Sequence, residues 1–179
     1  MTKNTYTLST GIHCLLVAII IVLSKPILAA EIINAYENIA MDGFDVVAYF
    51  EQRAPLKGDA TYGVDYKGKR WIFSSAQNVK TFQQNPSAFE PQFNGWCAYA
   101  VSEGYGAEVD FINGWAVLDN KLYLNWDAET RDLFTNEQVK RKVDAQANWQ
   151  EVHKGLHDGS TDFYTHKQEN VNISHPQKP

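Results

Sequence analysis

Two stretches of this chain alternate apolar and polar residues with the period of a β-strand. The first covers residues 61–73, where Lys67-Gly68 separates two such runs, and the second covers residues 115–126, where Asp119-Asn120 does the same. Successive side chains of a strand point to opposite faces, so a period of two is typical of a half-buried strand. Each stretch therefore predicts a β-hairpin whose turn lies at the polar dipeptide.

Helix signals follow the first hairpin. Ser74 or Ser75 is suited to cap a helix in which Val79 and Phe82 share one face. Pro86 has no amide hydrogen to continue the helical hydrogen bonds, so the helix is expected to end before it. We predict a short helix that packs on the hairpin.

Two further helices are predicted after the second hairpin. Asp127 is the expected N-cap of the first, and Thr135 with Gln138 predicts a capping box for the last helix, whose apolar pattern Trp149 closes. The other apolar positions of that helix recur every four residues: Val139, Val143 and Ala147. The elements together predict a small single α+β domain over residues 36–150, with two β-hairpins packed with short helices and a C-terminal helix.

The first thirty residues differ from the rest of the chain. Lys3 is the only early charge, an apolar run covers residues 15–23, and the small residues Ala29-Ala30 follow. The run is shorter than the roughly twenty apolar residues that normally span a bilayer. This pattern predicts a signal peptide over residues 1–30, cleaved after Ala30, and a periplasmic protein. An uncleaved amino-terminal anchor is the alternative.

Cleavage changes both the charge and the cysteine content. The 179-residue chain has a formal net charge of −5, and the loss of Lys3 and Lys25 lowers it to −7. An acidic surface repels phosphate backbones, so we expect no nucleic-acid partner, and no membrane partner once the signal peptide is removed. Cleavage also removes Cys14 and leaves Cys97 as the single thiol, which excludes an internal disulfide.

Residues 151–179 are polar and show no periodicity, so this tail is predicted to be disordered. It contains every histidine of the cleaved chain: His153, His157, His166 and His175. The first two are spaced to share one helical face, as two metal ligands would be, although a solvated tail is the interpretation we prefer. Without a histidine in the domain, a Cys-His pair for hydrolase chemistry is not expected.

Two motifs resemble the YHS domain family: MDGFDVVAYF and YKGKRWIFSSAQNVKTFQQNPSAF. The stretch from Ala40 to Trp149 also resembles an exported subgroup of that family, which has a Gly-aromatic-Cys-Ala-Tyr segment, here GWCAYA. The resemblance implies metal handling, because some members of the family hold zinc or copper with cysteine thiolates. This chain has Ala48, Ser74 and Asn78 at those positions, so the usual thiolate site is absent.

Cys97 is the candidate metal ligand that remains. A helix that starts at this residue would place the thiol near unpaired amide N–H groups, so Cys97 is expected to titrate below an ordinary thiol. One thiolate does not close a tetrahedral site, and Met41 and Asp42 are the expected further ligands. The alternative is that Cys97 is a small buried core residue.

Four more residues are candidates for binding a ligand near Cys97: Trp96, Tyr99, Asp45 and Phe44. The carboxylates of Asp42 and Asp45 flank Gly43 and would coordinate a cation or hold a polar ligand. The alternative is that one of them caps the turn by accepting backbone hydrogen bonds. The aromatic residues are suited to line a pocket or, as the simpler alternative, to fill the core.

These observations predict an exported, non-enzymatic protein that binds a soft metal ion, copper or similar, or a small ligand near Cys97. Two other classes stay open. In one, Cys97 is a redox-active or persulfide-carrying nucleophile that depends on an envelope protein as partner, because the cleaved chain has no second cysteine. In the other, the domain is an interaction module without a site.

Overall fold

The computed structural model describes residues 35–36 and 38–166. The predicted signal peptide, residues 1–30, lies outside the described residues, and so does the predicted tail from residue 167 onward. Within the described ranges, no helix is both long enough and apolar enough to cross a membrane.

The first predicted hairpin is the centre of a four-stranded sheet. The strands are β1 (Ala35–Tyr36), β2 (Ile39–Ala40), β3 (Asp59–Tyr66) and β4 (Lys69–Phe73). β3 and β4 pair antiparallel around a turn in which Lys67 and Gly68 have φ angles of 49° and 73°, so this hairpin prediction is confirmed. β2 pairs with β4 in parallel, and the strand order is β1-β2-β4-β3.

Two smaller sheets complete the β structure. β5 (Gly106–Ala107) precedes the second predicted hairpin, which is confirmed as β6 (Trp115–Leu118) and β7 (Lys121–Leu124), an antiparallel pair. Near the C-terminal end of the described chain, β8 (Phe163–Tyr164) pairs in parallel with β5. The structure thus confirms the α+β class and adds four strands that were not predicted: β1, β2, β5 and β8.

In the described part of the chain, six α-helices lie between β2 and β8: α1 (Val46–Glu51), α2 (Ala76–Gln84), α3 (Pro86–Phe89), α4 (Ala98–Ser102), α5 (Ala128–Asn136) and α6 (Gln138–Asp158). Ser75 caps α2, since its hydroxyl accepts a hydrogen bond from the Asn78 N–H at 3.1 Å. α2 ends before Pro86, as predicted. Asp127 caps α5 in a capping box with Thr130, which confirms that N-cap.

The capping box predicted at Thr135 and Gln138 is wrong. Glu137 is the N-cap of α6 and makes no side-chain capping bond, whereas the Thr135 hydroxyl donates to the Asp132 carbonyl at 3.2 Å. The reason is that α5 continues through Thr135, so this side chain bonds within its own helix.

The predicted apolar face of the last helix is also wrong. Val139 and Val143 have 78% and 65% of their surface exposed, while Arg141, Ala145 and Val152 are buried. The buried side of α6 packs mainly against α4. The Arg141 guanidinium lies 4.6 Å from the centre of a tyrosine ring on α4, so the buried face includes a charged residue that an apolar pattern does not point to.

The chain does not become irregular at residue 151, so the prediction of a disordered tail is wrong for residues 151–166. α6 continues to Asp158 and ends at Gly159, whose φ of 75° is a left-handed helix end. Residues 159–166 then fold back, and we call them the strap. A Cβ on Gly155 would lie 1.9 Å from the Thr161 hydroxyl oxygen, so glycine is needed where the strap crosses α6.

Candidate functional site

Asp45 is a fully buried carboxylate at the start of α1. One oxygen, Oδ1, accepts hydrogen bonds from the N–H groups of Val47 at 2.9 Å and Ala48 at 3.3 Å. The other, Oδ2, accepts from the Ser74 N–H at 2.8 Å, the Ser74 hydroxyl at 2.6 Å and the Asn78 amide at 2.6 Å. The alternative role, that Asp45 caps a turn, is therefore the one that this geometry supports, and the carboxylate also ties α1 to α2.

The other candidates on this segment, Met41, Asp42 and Phe44, differ in burial and in the contacts they make. Met41 is fully buried, whereas the Asp42 side chain is about half exposed and forms an ion pair with Lys57 at 3.1 Å. Phe44 stacks on Phe111 with ring centres 5.4 Å apart, and the Lys57 ammonium lies 3.9 Å from the centre of its ring. The turn is thus stabilised by contacts within the protein.

Cys97 is the N-cap of α4, as the sequence predicted, and 1% of its surface is exposed. Its sulfur accepts hydrogen bonds from the N–H groups of Ala100 at 3.4 Å and Trp126 at 3.3 Å. Its own N–H donates to the Ala107 carbonyl at 3.1 Å, which joins α4 to β5. The thiol is therefore held at the junction of three chain segments.

Burial raises the pKa of the Cys97 thiol to about 11, although the backbone N–H bonds to sulfur act in the opposite direction. The expectation that Cys97 titrates below an ordinary thiol is therefore wrong. α4 has only five residues, and the favourable effect of its N-terminal amides is smaller than the cost of a charge without water around it.

The aromatic candidates next to Cys97 belong to the core. Trp96 and Tyr99 each have 8% of their surface exposed. Trp96 meets the Phe163 ring of the strap edge to face at 5.1 Å. Tyr99 lies under the guanidinium of Arg141, and its N–H donates to the side-chain oxygen of Asn125 at 3.1 Å. The alternative role in the core accounts for the contacts of both residues.

Comparison with protein families identifies the first half of the domain. Residues 47–92 match the family model of the YHS domain. This segment is a YHS domain. It takes up about a quarter of the chain and runs from α1 to just beyond α3. Searches of the curated proteins and of the solved structures gave no match.

The YHS domain of this chain does not provide the cysteine ligands that the resemblance implies for metal-handling members. The corresponding residues, Ala48, Ser74 and Asn78, all donate hydrogen bonds to the Asp45 carboxylate. The Asn78 amide also approaches the Gln52 side-chain oxygen at 3.3 Å. Because both oxygens of Asp45 are already occupied by donors, a metal ion does not fit this position.

The ligand set of Cys97, Met41 and Asp42 stays a prediction, and the polar contacts of Cys97 and Asp42 are with other residues. The hydrogen bonds of Cys97 reach neither Met41 nor Asp42, and Asp42 pairs with Lys57 instead. Among residues 38–166, no group of three or more His, Cys, Asp and Glu side chains is placed to hold a metal ion. A soft metal ion bound at Cys97 would therefore need at least one donor of another kind, such as a methionine sulfur or a group of another molecule.

Sequence reasoning missed the strap as part of the Cys97 environment. The His166 ring lies against the Trp126 ring, with ring centres 3.9 Å apart, and the backbone N–H of Trp126 donates to the Cys97 sulfur. The His166 N–H donates to the Glu108 carboxylate at 2.9 Å. The sequence does contain one signal that this segment packs on the domain: the group of aromatic residues in DFYTH, which is unusual in an otherwise polar tail.

Proposed function

We propose that this YHS protein is an exported, non-enzymatic binding protein in which Cys97 is the donor to a soft metal ion, copper(I) in the first instance. The YHS match supports the proposal at the level of the family. The geometry that carries it is the pair of backbone N–H groups directed at the Cys97 sulfur.

Amide hydrogen bonds to sulfur favour a sulfur atom that carries negative charge. A metal-bound thiolate is such an atom, and thiolate is a preferred ligand of copper(I). Because burial holds the pKa of Cys97 at about 11, the thiol keeps its proton at neutral pH. A metal ion must displace that proton, so binding at Cys97 releases a proton and tightens as the pH rises towards 11.

The same contacts argue against a nucleophilic role. A cysteine nucleophile needs a base that removes its proton or a positive neighbour that stabilises its thiolate. The hydrogen-bond partners of the Cys97 sulfur are the N–H groups of Ala100 and Trp126, which donate and do not take up a proton. The binding role therefore agrees better with this environment than the redox or persulfide role.

A second function, that of an interaction module without a site, is favoured by one observation. Cys97 has 1% of its surface exposed and lies among the residues of the hydrophobic core. A small buried cysteine in such a position often has only a packing role. The experiment below separates the two functions.

The deciding experiment is elemental analysis of protein purified from the periplasm without a tag or a chelator. We expect near-stoichiometric copper in the unaltered protein and its loss in Cys97→Ser, whereas Asp65→Asn, which alters an exposed carboxylate outside the predicted ligand set, should keep the copper. The intact mass of the same sample checks cleavage after Ala30. Thermal unfolding of each variant verifies that it is folded.

Three outcomes are informative. Copper that is lost only in Cys97→Ser supports the proposal. An equal copper content in the unaltered protein and in folded Cys97→Ser places the metal elsewhere and contradicts the role of Cys97. No metal in either sample contradicts the metal proposal and leaves the interaction module as the better account.

A further inference from the structure

Two histidines lie one helical turn apart on α6. The rings of His153 and His157 have centres 4.8 Å apart and meet at an angle of 87°. The spacing of four residues places both side chains on one face of a helix. Two imidazoles at this spacing are the arrangement with which helical zinc sites present a pair of ligands.

The protein holds one ring of this pair in place. His153 is half-buried, and its ring lies against Trp149 with centres 4.9 Å apart. Trp149 in turn packs edge to face on Phe93 at 5.6 Å. These neighbours restrict the ring of His153, which reduces the entropy that a metal ion must overcome when it orders its ligands. In this orientation Nε2 is buried, so Nδ1 is the atom of His153 that would bind the ion.

The second ring is open to solvent. His157 is exposed, so a hydrated ion can reach it without a change in the fold. Lys154, a cation on the same turn of the helix, forms an ion pair with Asp158 at 2.6 Å. Contacts with Lys154 and Ser160 lower the pKa of the Asp158 carboxyl to about 2, so its negative charge is present at neutral pH and offsets the charge of Lys154.

We propose that His153 and His157 form an open two-histidine site for a divalent cation that prefers imidazole ligands, Zn²⁺ or Cu²⁺. His153 Nδ1 and one ring nitrogen of His157 supply two ligands, and water or a donor of another molecule completes the coordination. This site is separate from Cys97 and needs no cysteine. It does not depend on the proposed function, because hard or borderline divalent ions at imidazole and copper(I) at thiolate are different chemistries.

The test is a calorimetric titration of the full chain with ZnCl₂. We expect saturable binding that becomes at least tenfold weaker in His157→Ala, whose altered residue is exposed and outside the core. Gln150→Ala is the matched control, because Gln150 is exposed on the same helix, and it should bind like the unaltered chain. Histidines elsewhere in the chain are the same in all three proteins and contribute equally.

A second variant separates this site from Cys97. Cys97→Ser should keep the zinc binding, whereas His153→Ala should lose it as His157→Ala does. Zinc binding of unchanged affinity in folded His157→Ala, or no saturable binding in the unaltered chain, would overturn the inference. Loss of zinc binding in Cys97→Ser with retention in His157→Ala would move the divalent site to the thiol.

Discussion

At the scale of single residues, the Asp45 carboxylate connects parts of the YHS domain that are distant in the sequence. Its two oxygens accept five hydrogen bonds, two from the start of α1 and three from Ser74 and Asn78. A buried charge is unfavourable unless its hydrogen bonds are satisfied, and here both oxygens are. Ala48, Ser74 and Asn78, which donate to Asp45, stand at the positions where the resemblance implies thiolate ligands in metal-handling YHS domains.

We therefore expect Asp45→Asn to be strongly destabilising. The new amide would place two donors against the Ser74 and Asn78 donors, so several buried groups would lose their acceptor. The free energy of unfolding should fall by about 3 kcal/mol. Urea unfolding measures the change.

Asp42→Asn is the matched control for that prediction. It removes the same charge three residues away, but from a half-exposed ion pair with Lys57, so the change should be under about 1 kcal/mol. Asparagine also tolerates the φ of 47° at this position. Equal effects of the two variants would mean that the network around Asp45 does not stabilise the fold.

Single residues also mark the limit of what the sequence predicts. The start of a helix at Cys97 is a local property, and the sequence predicted it correctly. The pKa of Cys97 depends on how much of the domain surrounds the thiol, and the predicted direction was wrong because burial outweighs the helix terminus. The cap at Asp45 was weighed as an alternative, but its bonds to Ser74 and Asn78 cross about thirty residues and leave no local pattern.

At the scale of elements, α6 shows why apolar periodicity identified a helix but not its buried face. The pattern of Val139 and Val143 is regular, yet both are exposed. The face that packs on α4 contains small and polar residues, among them Ala145 and Arg141. Arg141 forms ion pairs with Glu103 and Glu137. A buried arginine with partners is a tertiary feature that a hydrophobic pattern does not detect.

The two faces of α6 can be compared by one type of substitution. Val152→Ala removes two buried methyl groups and should lower the free energy of unfolding by roughly 2 kcal/mol. Val143→Ala removes the same groups from an exposed position and should change it by less than about 0.5 kcal/mol. Chemical unfolding of both variants measures the difference. A larger loss in Val143→Ala would show that the exposed face is covered in solution.

At the scale of the whole molecule, the strap brings the C-terminal end of the described chain against the surroundings of Cys97. Three ring pairs make this contact: Trp96 with Phe163, Tyr105 with Tyr164, and Trp126 with His166. Backbone bonds from Gly106 to Asp162 and from Glu108 to Tyr164 add the short β5–β8 pair. Such a short edge pairing opens at a lower cost than the core, so we expect release of the strap to increase the access of solvent to the thiol.

The last prediction concerns how far the strap shields Cys97 from reagents in solution. A chain that ends at Asp158 lacks the strap, so its Cys97 should react with iodoacetamide at least tenfold faster than in the full chain, because less of the domain must open. A chain that ends at His166 keeps the strap and should react at the full-chain rate. Carrying Cys14→Ser throughout leaves Cys97 as the only thiol.

The pH dependence of this reaction provides an independent check. Because the pKa of Cys97 is raised to about 11, only a small fraction is thiolate at pH 8, and the rate in the full chain should rise about tenfold per pH unit below that pKa. Removing the strap lets water reach the sulfur, which lowers the cost of the charge, so the rate should level off at a lower pH in the chain that ends at Asp158. Equal rates and equal pH profiles in folded chains ending at Asp158 and His166 would mean that α4, β7 and α6 cover Cys97 without the strap.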